Sequence, residues 1–378
     1  MIKVLHILKS LDIGGIETLA LDLCNRAHLF DLEVHVICIG GGELEAEFQK
    51  SPAYFTKIKK WKFTNDTVSP NVVKGIRDYL KKHQIKIIHT HFADEGVHAV
   101  LAKQGLKDIK IIQTFHVDCR RVRKIDLLRF KWVDNTSVLN LSPSEVLTQQ
   151  LSDFKIGNST KNQTLHNGIN PRRVVASRNN TLRRHLGLSS DNILAGMVGN
   201  FYSDIRDHLT VCKALKKVVE QHKNFHFVFV GGFENKWVNK KSSTYEACYD
   251  FCKKNALFKQ VHFLGLMKNT QEVFAELDFY VHASNFDTFG MAPIEAMMNK
   301  LPVIANDFPV FKEISNNGAG MLLFEDKNEE DLALKISELI EDKNKRMTLA
   351  EQHYHFANEK YHIDQHIKKL RNFYLSLL

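Results

Sequence analysis

The chain has 378 residues, of which 44% are hydrophobic and 25% charged, and its formal net charge is +9. This composition is ordinary for a soluble globular protein, and the length predicts two domains. No run approaches the roughly 18 consecutive apolar residues of a membrane-spanning helix. The apolar start at residues 1–8 is too short and too interrupted for a signal peptide.

The cysteines give no disulfide or metal-binding pattern. Cys248 and Cys252 could share a helix face, but no second pair completes a zinc site. We therefore expect reduced, mostly structural thiols and a cytoplasmic protein. The six positions are Cys24, Cys38, Cys119, Cys212, Cys248 and Cys252.

The positive charge suggests an anionic partner. Nucleic acid is not favoured, because the sequence has no zinc-finger spacing, basic zipper region or RNA-recognition signature. Basic residues instead mix with apolar ones around Trp61 and along residues 120–132. This mixture predicts peripheral contact with an anionic membrane, and a solvated helical face without a partner is the alternative. The basic positions are Lys57, Lys59, Lys60, Lys62, Arg120, Arg121, Arg123, Lys124, Arg129 and Lys131.

The first half of the chain alternates short apolar strands with helices. Helices are predicted at residues 15–26, 71–83, 98–105 and 145–151, and strands at 3–8, 33–39, 85–89, 110–115 and 138–141. This alternation is typical of a parallel sheet covered on both faces. A turn-rich passage at residues 167–171 is the predicted linker.

The same pattern then restarts and predicts a second doubly wound domain. Strands are predicted at residues 193–198, 226–231, 261–264, 279–282, 301–305 and 320–324. Helices are predicted at 207–222, 244–255, 270–277, 292–300, 330–341 and 364–378. Open α/β sheets bind ligands at the carboxyl ends of their strands, where the motifs of this chain fall.

Two acids, Asp287 and Glu295, flank a Phe-Gly turn and the start of a short helix in the second half. A helix N-terminus favours phosphate, and carboxylates beside it can accept hydrogen bonds from sugar hydroxyls. The segment therefore predicts a nucleotide-sugar site, and an ordinary helix with an acidic first turn is the alternative.

This segment resembles the signature of the retaining glycosyltransferases of family 4 (group 1), which have the GT-B fold. The matching positions are Ser284, Asp287, Phe289, Gly290, Glu295, Ala296, Met297 and Pro302. The first acid is usually Glu, and Asp287 is one methylene shorter. The resemblance implies an α/β architecture of two facing Rossmann-like doubly wound domains with a central cleft.

The resemblance also implies a division of labour along the chain. Residues 1–168 would form an acceptor-side domain, 169–360 a donor domain, and 361–378 a C-terminal helix that returns to the first domain. Gly14 and Gly15, which open the first helix, resemble the loop that approaches the donor phosphates. His116, in Thr-Phe-His after a predicted strand, matches the active-site histidine beside the donor sugar. His89 and His91 remain structural or acceptor-facing, although alternate histidines with a nearby Asp94 or Asp118 could also bind metal.

In the second domain, Asn200 stands where the family commonly has Arg, and Arg206 where it has the Lys that neutralises the diphosphate. The resemblance gives Asp287 the donor-sugar hydroxyls and Glu295 the ribose hydroxyls, and His116, Asp287 and Arg206 form the catalytic set. The other donor-binding positions are Gly231, Gly232, Leu266, Phe289, Gly290 and Met291. The sequence does not decide the nucleotide base.

The resemblance predicts a metal-independent transferase that moves a sugar from a nucleoside diphosphate sugar, with UDP favoured. The acceptor would be a glycan or lipid-linked intermediate of surface polysaccharide synthesis at the inner face of the plasma membrane. No cofactor is expected, since the nucleotide sugar is a substrate. A non-hydrolysing sugar-nucleotide epimerase and a non-catalytic sugar-nucleotide binder are the alternatives.

Overall fold

The computed structural model describes residues 1–60, 68–235 and 240–378, which form two compact units. The first unit contains Met1–Gly168 together with Ile363–Leu378, and the second contains Ile169–His362. The chain therefore enters the second unit once and then returns to the first.

The first unit is built on a parallel sheet of seven strands. The strands are β1 (Ile2–Leu8), β2 (Leu32–Cys38), β3 (Tyr54–Lys57), β4 (Ile87–Thr90), β5 (Lys110–Thr114), β6 (Leu139–Ser142) and β7 (Asn162–Thr164). Their order is β3-β2-β1-β4-β5-β6-β7. The order reverses between β1 and β4, where His6 lies opposite His89. In such sheets the reversal point is where ligands bind.

Six helices connect these strands. They are α1 (Gly15–Arg26), α2 (Glu45–Lys50), α3 (Pro70–His83), α4 (Ala93–Lys103), α5 (Lys124–Asp134) and α6 (Glu145–Asp153). The helix α3 shows why they form: Val72, Ile76 and Leu80 recur every four residues and are buried. It begins with Pro70, where a missing N–H costs nothing, and stops at Gln84 in the left-handed region.

The second unit has a parallel sheet of six strands in the order β12-β9-β8-β13-β14-β15 and a two-stranded β10-β11 pair. The strands are β8 (Ile193–Val198), β9 (Phe225–Val230), β10 (Glu234–Asn235), β11 (Lys240–Lys241), β12 (Val261–Gly265), β13 (Phe279–His282), β14 (Val303–Asn306) and β15 (Leu322–Phe324). The order of this sheet reverses between β8 and β13, both of which are mostly buried.

The helices of the second unit are α7 (Pro171–Val174), α8 (Thr181–His185), α9 (His208–Gln221), α10 (Ser243–Lys254), α11 (Thr270–Glu276), α12 (Met291–Met298), α13 (Pro309–Ile314), α14 (Glu329–Glu341) and α15 (Lys343–Tyr361). The core on one face of the sheet is rich in phenylalanine, including Phe201, Phe225, Phe227 and Phe229. Cores therefore cover both faces of this sheet, as a doubly wound fold requires.

The last helix, α16 (Ile363–Ser376), belongs to the first unit. Ile363, Ile367, Leu370 and Tyr374 are spaced as one helix face and are buried in the core around α1 and β1. Asp364 fixes the start of the helix, because both of its oxygens accept hydrogen bonds from Arg26, at 2.6 and 2.7 Å.

The predicted fold class is confirmed, and most predicted elements are present within two residues of their bounds. One helix predicted from residue 98 begins five residues earlier, at Ala93, where Glu95 accepts the His91 and Phe92 N–H groups. The prediction missed the edge strands β3 and β7, and the helices α5 and α15, whose apolar residues form no continuous buried face. It also missed the short elements α2, α7, α8, α13, β10 and β11, which have six residues or fewer.

The six cysteines are buried and free. No helix within the three described ranges has the length and apolar content that a membrane crossing requires.

The buried face of α16 gives a first prediction. We expect Ile367→Ala to lower the free energy of unfolding by about 3 kcal/mol, because it leaves a cavity in the first unit's core. Leu375→Ala, on the same helix but 44% exposed, should change it by less than about 0.5 kcal/mol. Urea unfolding followed by circular dichroism measures both, and equal effects would contradict the packing of α16.

Candidate active site

Two loops meet at the point where the second unit's strand order reverses. One follows β8 and contains Arg206, and the other follows β13 and contains Ser284. Backbone hydrogen bonds join them. The Asp207 N–H donates to the Ala283 carbonyl at 3.0 Å, and the Asn285 N–H donates to the Ile205 carbonyl at 2.9 Å. These bonds hold both loops in a fixed register at the carboxyl edge of the sheet.

Arg206 and Asp287 form an ion pair between these loops. The Arg206 Nη1 donates to Asp287 Oδ2 at 2.7 Å and also to the Ser284 hydroxyl. The pair is largely enclosed, since the Arg206 side chain is 21% exposed and that of Asp287 10%. Sequence analysis placed both residues in the catalytic set, and the structure brings their side chains into direct contact.

The second oxygen of Asp287 is held by backbone. Oδ1 accepts the N–H groups of Thr288 at 2.9 Å and Phe289 at 3.2 Å. Burial alone raises the pKa of this carboxyl, but the Arg206 charge, the His282 contact and the Phe289 N–H together outweigh it and keep the pKa well below its ordinary value of 3.8. Asp287 is therefore ionised at all physiological pH values.

His282, at the end of β13, lies behind the ion pair. Its Nε2 is 3.6 Å from Asp287 Oδ2, and its Nδ1 is 3.1 Å from the Tyr280 hydroxyl. Burial lowers the pKa of His282 to about 4, so the ring is neutral at pH 7. His282 was not among the predicted site residues, although its position two residues before Ser284 could have indicated it.

Glu295 lies on α12 and is held by a residue far away in sequence. Arg173, on α7, donates from Nη2 to Glu295 Oε1 at 3.2 Å. The Glu295 side chain is 14% exposed. Sequence analysis missed Arg173, and no local pattern could pair two residues that lie 122 positions apart.

The predicted glycine positions pack against protein backbone. A Cβ at Gly231 would lie 2.1 Å from the Gly199 carbonyl oxygen, so only glycine fits there. Asn200 Oδ1 accepts the Gly232 N–H at 2.8 Å and so ties the loops after β8 and β9 together. These three predicted positions therefore shape the edge of the site.

The turn before α12 also fits the predicted signature. Gly290 has a φ of 89°, which disfavours a side chain, and a Cβ there would lie 2.8 Å from the Phe311 ring. The Phe289 ring is buried, whereas Leu266, after β12, is 59% exposed. Met291, the first residue of α12, is half-buried. Phe289 therefore contributes to the site through its N–H, which donates to Asp287 Oδ1, and not through its ring.

In the first unit, Gly14 precedes α1, and its carbonyl accepts the Thr18 N–H at 3.0 Å. Gly15 is the first residue of α1. His116 follows β5 and is 9% exposed. It lines a small cavity together with Ile16 of α1, so the predicted first loop and the predicted histidine lie on one side of this unit.

The rings of His6, His89 and His91 contact one another, and the His91 ring also contacts that of His116. Asp94 pairs with Arg129 at 2.7 Å, and Asp118 pairs with Arg120. Among the side chains that the structure describes, no three of the metal-binding types are arranged to hold an ion.

The basic clusters are partly neutralised within the protein. Lys57 pairs with Glu45 at 2.5 Å, whereas Trp61 and Lys62 lie outside the described residues. Arg123 pairs with Asp126 at 2.7 Å. The most exposed feature of α5 is apolar: Ile125, Leu128 and Trp132 are 50%, 62% and 42% exposed and lie on one face of the helix.

The Arg206–Asp287 pair predicts a specific response to acid. A carboxyl whose folded-state pKa is depressed stabilises the protein above its unfolded pKa, and that stability is lost as the pH falls toward the folded value. Asp287→Asn should therefore lower the free energy of unfolding by about 2 kcal/mol at pH 7. The difference from wild type should shrink below pH 3.8, the ordinary value for aspartate.

A double-mutant cycle with Arg206→Gln and Asp287→Asn isolates this interaction. We expect a coupling energy of about 1–3 kcal/mol at pH 7, from denaturant unfolding of the four proteins. The surface pair Lys300 and Glu351, both 53% exposed, serves as control, and its coupling should be smaller than that of the buried pair. Equal coupling in the two cycles would refute the buried pair.

Family models match both units. The model for glycosyl transferases of group 1 matches residues 178–356, and the model for glycosyltransferase family 4 matches residues 13–173. The crystal structure of Anabaena HepE in complex with UDP and glucose superposes with a TM-score of 0.84 at 18% identity, covering 100% of both chains. This similarity supports the GT-B fold.

Two curated relatives are named as glycosyltransferases. The chain is 23% identical to the O-antigen biosynthesis glycosyltransferase WclY of Escherichia coli over 223 residues, which are 58% of this chain and 57% of WclY. This match therefore spans little more than half of that relative. An uncharacterized glycosyltransferase of Methanocaldococcus jannaschii is 26% identical over 356 residues, which cover 92% of this chain and 90% of the relative. Together with the motif around Asp287, these matches show that the chain belongs to glycosyltransferase family 4, group 1.

Proposed function

We propose that this chain transfers a sugar from a nucleoside diphosphate sugar, with UDP favoured, to a glycan or lipid-linked acceptor in surface polysaccharide synthesis. Three findings support the proposal. The chain belongs to glycosyltransferase family 4, the similar HepE structures hold UDP and UDP-glucose, and WclY is named for O-antigen biosynthesis. The structural observation that carries it is the paired Arg206 and Asp287 at the strand-order reversal of the second unit.

Arg206 is suited to a diphosphate. All the hydrogen bonds that the described residues give its guanidinium come from Nη1. Its Nε and Nη2 groups therefore keep donors for phosphate oxygens, which guanidinium binds well. Asp287 fixes the guanidinium plane, so the cation is oriented before the donor binds.

The two carboxylates would take different parts of the donor. We assign Glu295 to the ribose hydroxyls, with Arg173 holding its orientation, and Asp287 to hydroxyls of the donor sugar. His116 would contribute a hydrogen bond to the donor sugar.

The proposed chemistry follows from charge. Cleavage of the bond between the sugar carbon and the phosphate oxygen places negative charge on the leaving diphosphate. Arg206, the N-terminus of α12 and the loop at Gly14 and Gly15 would stabilise that charge without a metal ion. The acceptor oxygen would bond to the sugar carbon on the face that the diphosphate leaves, while the diphosphate accepts the proton of the acceptor hydroxyl, and this retains the configuration of the sugar carbon.

The acceptor is proposed to reside at an anionic membrane surface. The exposed stripe of Ile125, Leu128 and Trp132 lies on α5, beside the exposed basic residues Arg121 and Lys124. Apolar side chains flanked by cations are the combination that binds the headgroup region of anionic lipids. This surface would bring the enzyme to a lipid-linked acceptor.

Nucleotide binding tests the donor site. Titration calorimetry with UDP, GDP, ADP and CMP in EDTA should show binding of one diphosphate, with UDP expected. Glu295→Gln should weaken it about 10- to 100-fold, because a charged hydrogen bond to ribose is lost. The matched control Glu351→Gln changes an exposed carboxylate of the same unit and should leave affinity unchanged.

The remaining alternatives give different results in the same assays. Arg206→Ala should reduce UDP release in the presence of acceptor by at least about tenfold. Conversion of the sugar nucleotide without any acceptor would favour the epimerase. No binding of any nucleotide would contradict the donor site itself.

Vesicle binding tests the α5 surface. Leu128→Glu should weaken co-sedimentation with phosphatidylglycerol vesicles at least about fivefold, because it places a carboxylate in an apolar, anionic interface. Leu334→Glu changes a residue that is 70% exposed on α14 and is the matched control, expected to bind as wild type does. Equal loss in both variants, or wild-type binding by Leu128→Glu, would count against this surface.

A further inference from the structure

A continuous chain of hydrogen-bonding side chains crosses the carboxyl edge of the first unit's sheet. It includes four histidines, a tyrosine of α16 and a threonine of β5, and each of these six residues is at most 9% exposed. In order along the chain of contacts they are His116, His91, His6, Tyr374, His89 and Thr114.

Every neighbouring pair in this chain is within hydrogen-bonding distance. His116 Nε2 is 3.1 Å from His91 Nδ1, and His91 Nε2 is 3.1 Å from His6 Nδ1. The hydroxyl of Tyr374 is 3.2 Å from His6 Nε2 and 2.7 Å from His89 Nδ1. His89 Nε2 ends the chain 2.6 Å from the Thr114 hydroxyl.

The rings are neutral at physiological pH. Burial lowers the pKa of His6, His89 and His116 well below the ordinary value, and the neighbouring histidines lower each further. Burial likewise lowers the pKa of His91 to about 4. A neutral imidazole has one N–H and one acceptor nitrogen, so each ring can donate in only one direction along the chain.

These rules leave two arrangements in which every contact is a hydrogen bond and the Tyr374 hydroxyl donates its own proton to one of the rings. If Tyr374 donates to His89, then His6, His91 and His116 each donate from Nε2, and His89 donates from Nε2 to Thr114. If Tyr374 donates to His6, the direction of every bond reverses and all four rings carry the proton on Nδ1. A mixed arrangement either places two donors or two acceptors against each other or leaves the buried Tyr374 hydroxyl proton without an acceptor, and both are costly.

We infer that Tyr374 is a positioning residue whose hydroxyl couples the protonated nitrogen of His89 to those of His6, His91 and His116, and so links the tautomer of His116 to α16. The inference concerns the first unit alone, and its consequence for sugar transfer rests on the proposed role of His116. Because His116 Nδ1 is an acceptor in one arrangement and a donor in the other, the tautomer decides what kind of sugar group the ring can bind. The C-terminal helix would thus act on the candidate site through three histidines.

The tautomers can be read directly by nuclear magnetic resonance. Long-range ¹H–¹⁵N correlation of protein labelled at its 19 histidines separates protonated from unprotonated ring nitrogens. Signals are assigned by their loss in single His→Gln variants. His366 is an internal reference, because its Nδ1 lies 2.8 Å from the His166 carbonyl and must donate to it.

In the wild type, His6, His89, His91 and His116 should show the same tautomer. In Tyr374→Phe the link is removed, and His89 should no longer share its tautomer with the other three. The matched control is Tyr361→Phe, which removes another buried hydroxyl that donates 2.7 Å to a carbonyl of the second unit. It should leave all four rings unchanged.

Different tautomers among the four rings of the wild type would overturn the inference, and this result needs no variant to fold. Unchanged tautomers in a folded Tyr374→Phe would overturn it as well. The affinity for the nucleotide sugar is a separate measurement, and Tyr374→Phe should lower it about fivefold. Altered tautomers with unchanged donor affinity would uphold the network and instead refute the proposed contact between His116 and the donor.

Discussion

The Arg206–Asp287 ion pair is the interaction on which the second unit's candidate site depends. It joins the loops that follow β8 and β13, two strands that are adjacent in the sheet but separated by 80 residues of chain. Each loop alone would be a mobile connection. The pair, the Ser284 hydroxyl and the backbone bonds between the loops fix both. A cation held in this way pays little conformational entropy when an anion arrives.

The same pair explains why the shorter first acid is compatible with the signature. In a doubly wound sheet the carboxyl ends of β8 and β13 meet at one edge, so the loops approach closely. Asp287 reaches Arg206 at 2.7 Å while its other oxygen accepts two backbone N–H groups. A carboxylate satisfied on both oxygens is oriented by the protein.

The sequence could predict the features that are periodic or local. Strands such as Ile193–Val198 and Phe279–His282 agree with prediction residue for residue, because continuous apolar runs bounded by turns leave few alternatives. The same pattern of apolar runs located the candidate site residues at the ends of the strands. The short edge strand Asn162–Thr164 was missed since a polar triplet carries no such signal. The helix α5 was missed because basic and apolar residues alternate without a clear stripe.

The contacts within the site could not be predicted, because they join residues that only the fold brings together. Arg173 meets Glu295 across 122 positions, and Tyr374 meets His6 across 368. Neither arginine nor tyrosine stands in a motif, so their importance is visible only in three dimensions.

A sequence motif identifies groups that touch a ligand, whereas the groups that orient them are set by packing. His116 illustrates the distinction. Its position after β5 follows from the sequence, but its protonated nitrogen depends on rings and a hydroxyl contributed by β1, β4 and α16. The buried face that docks α16 therefore serves two purposes, since Ile367 and Leu370 fill the core and so hold the Tyr374 hydroxyl between His6 and His89. The helix α16 therefore contributes both to the stability of the first unit and to the tautomer of His116.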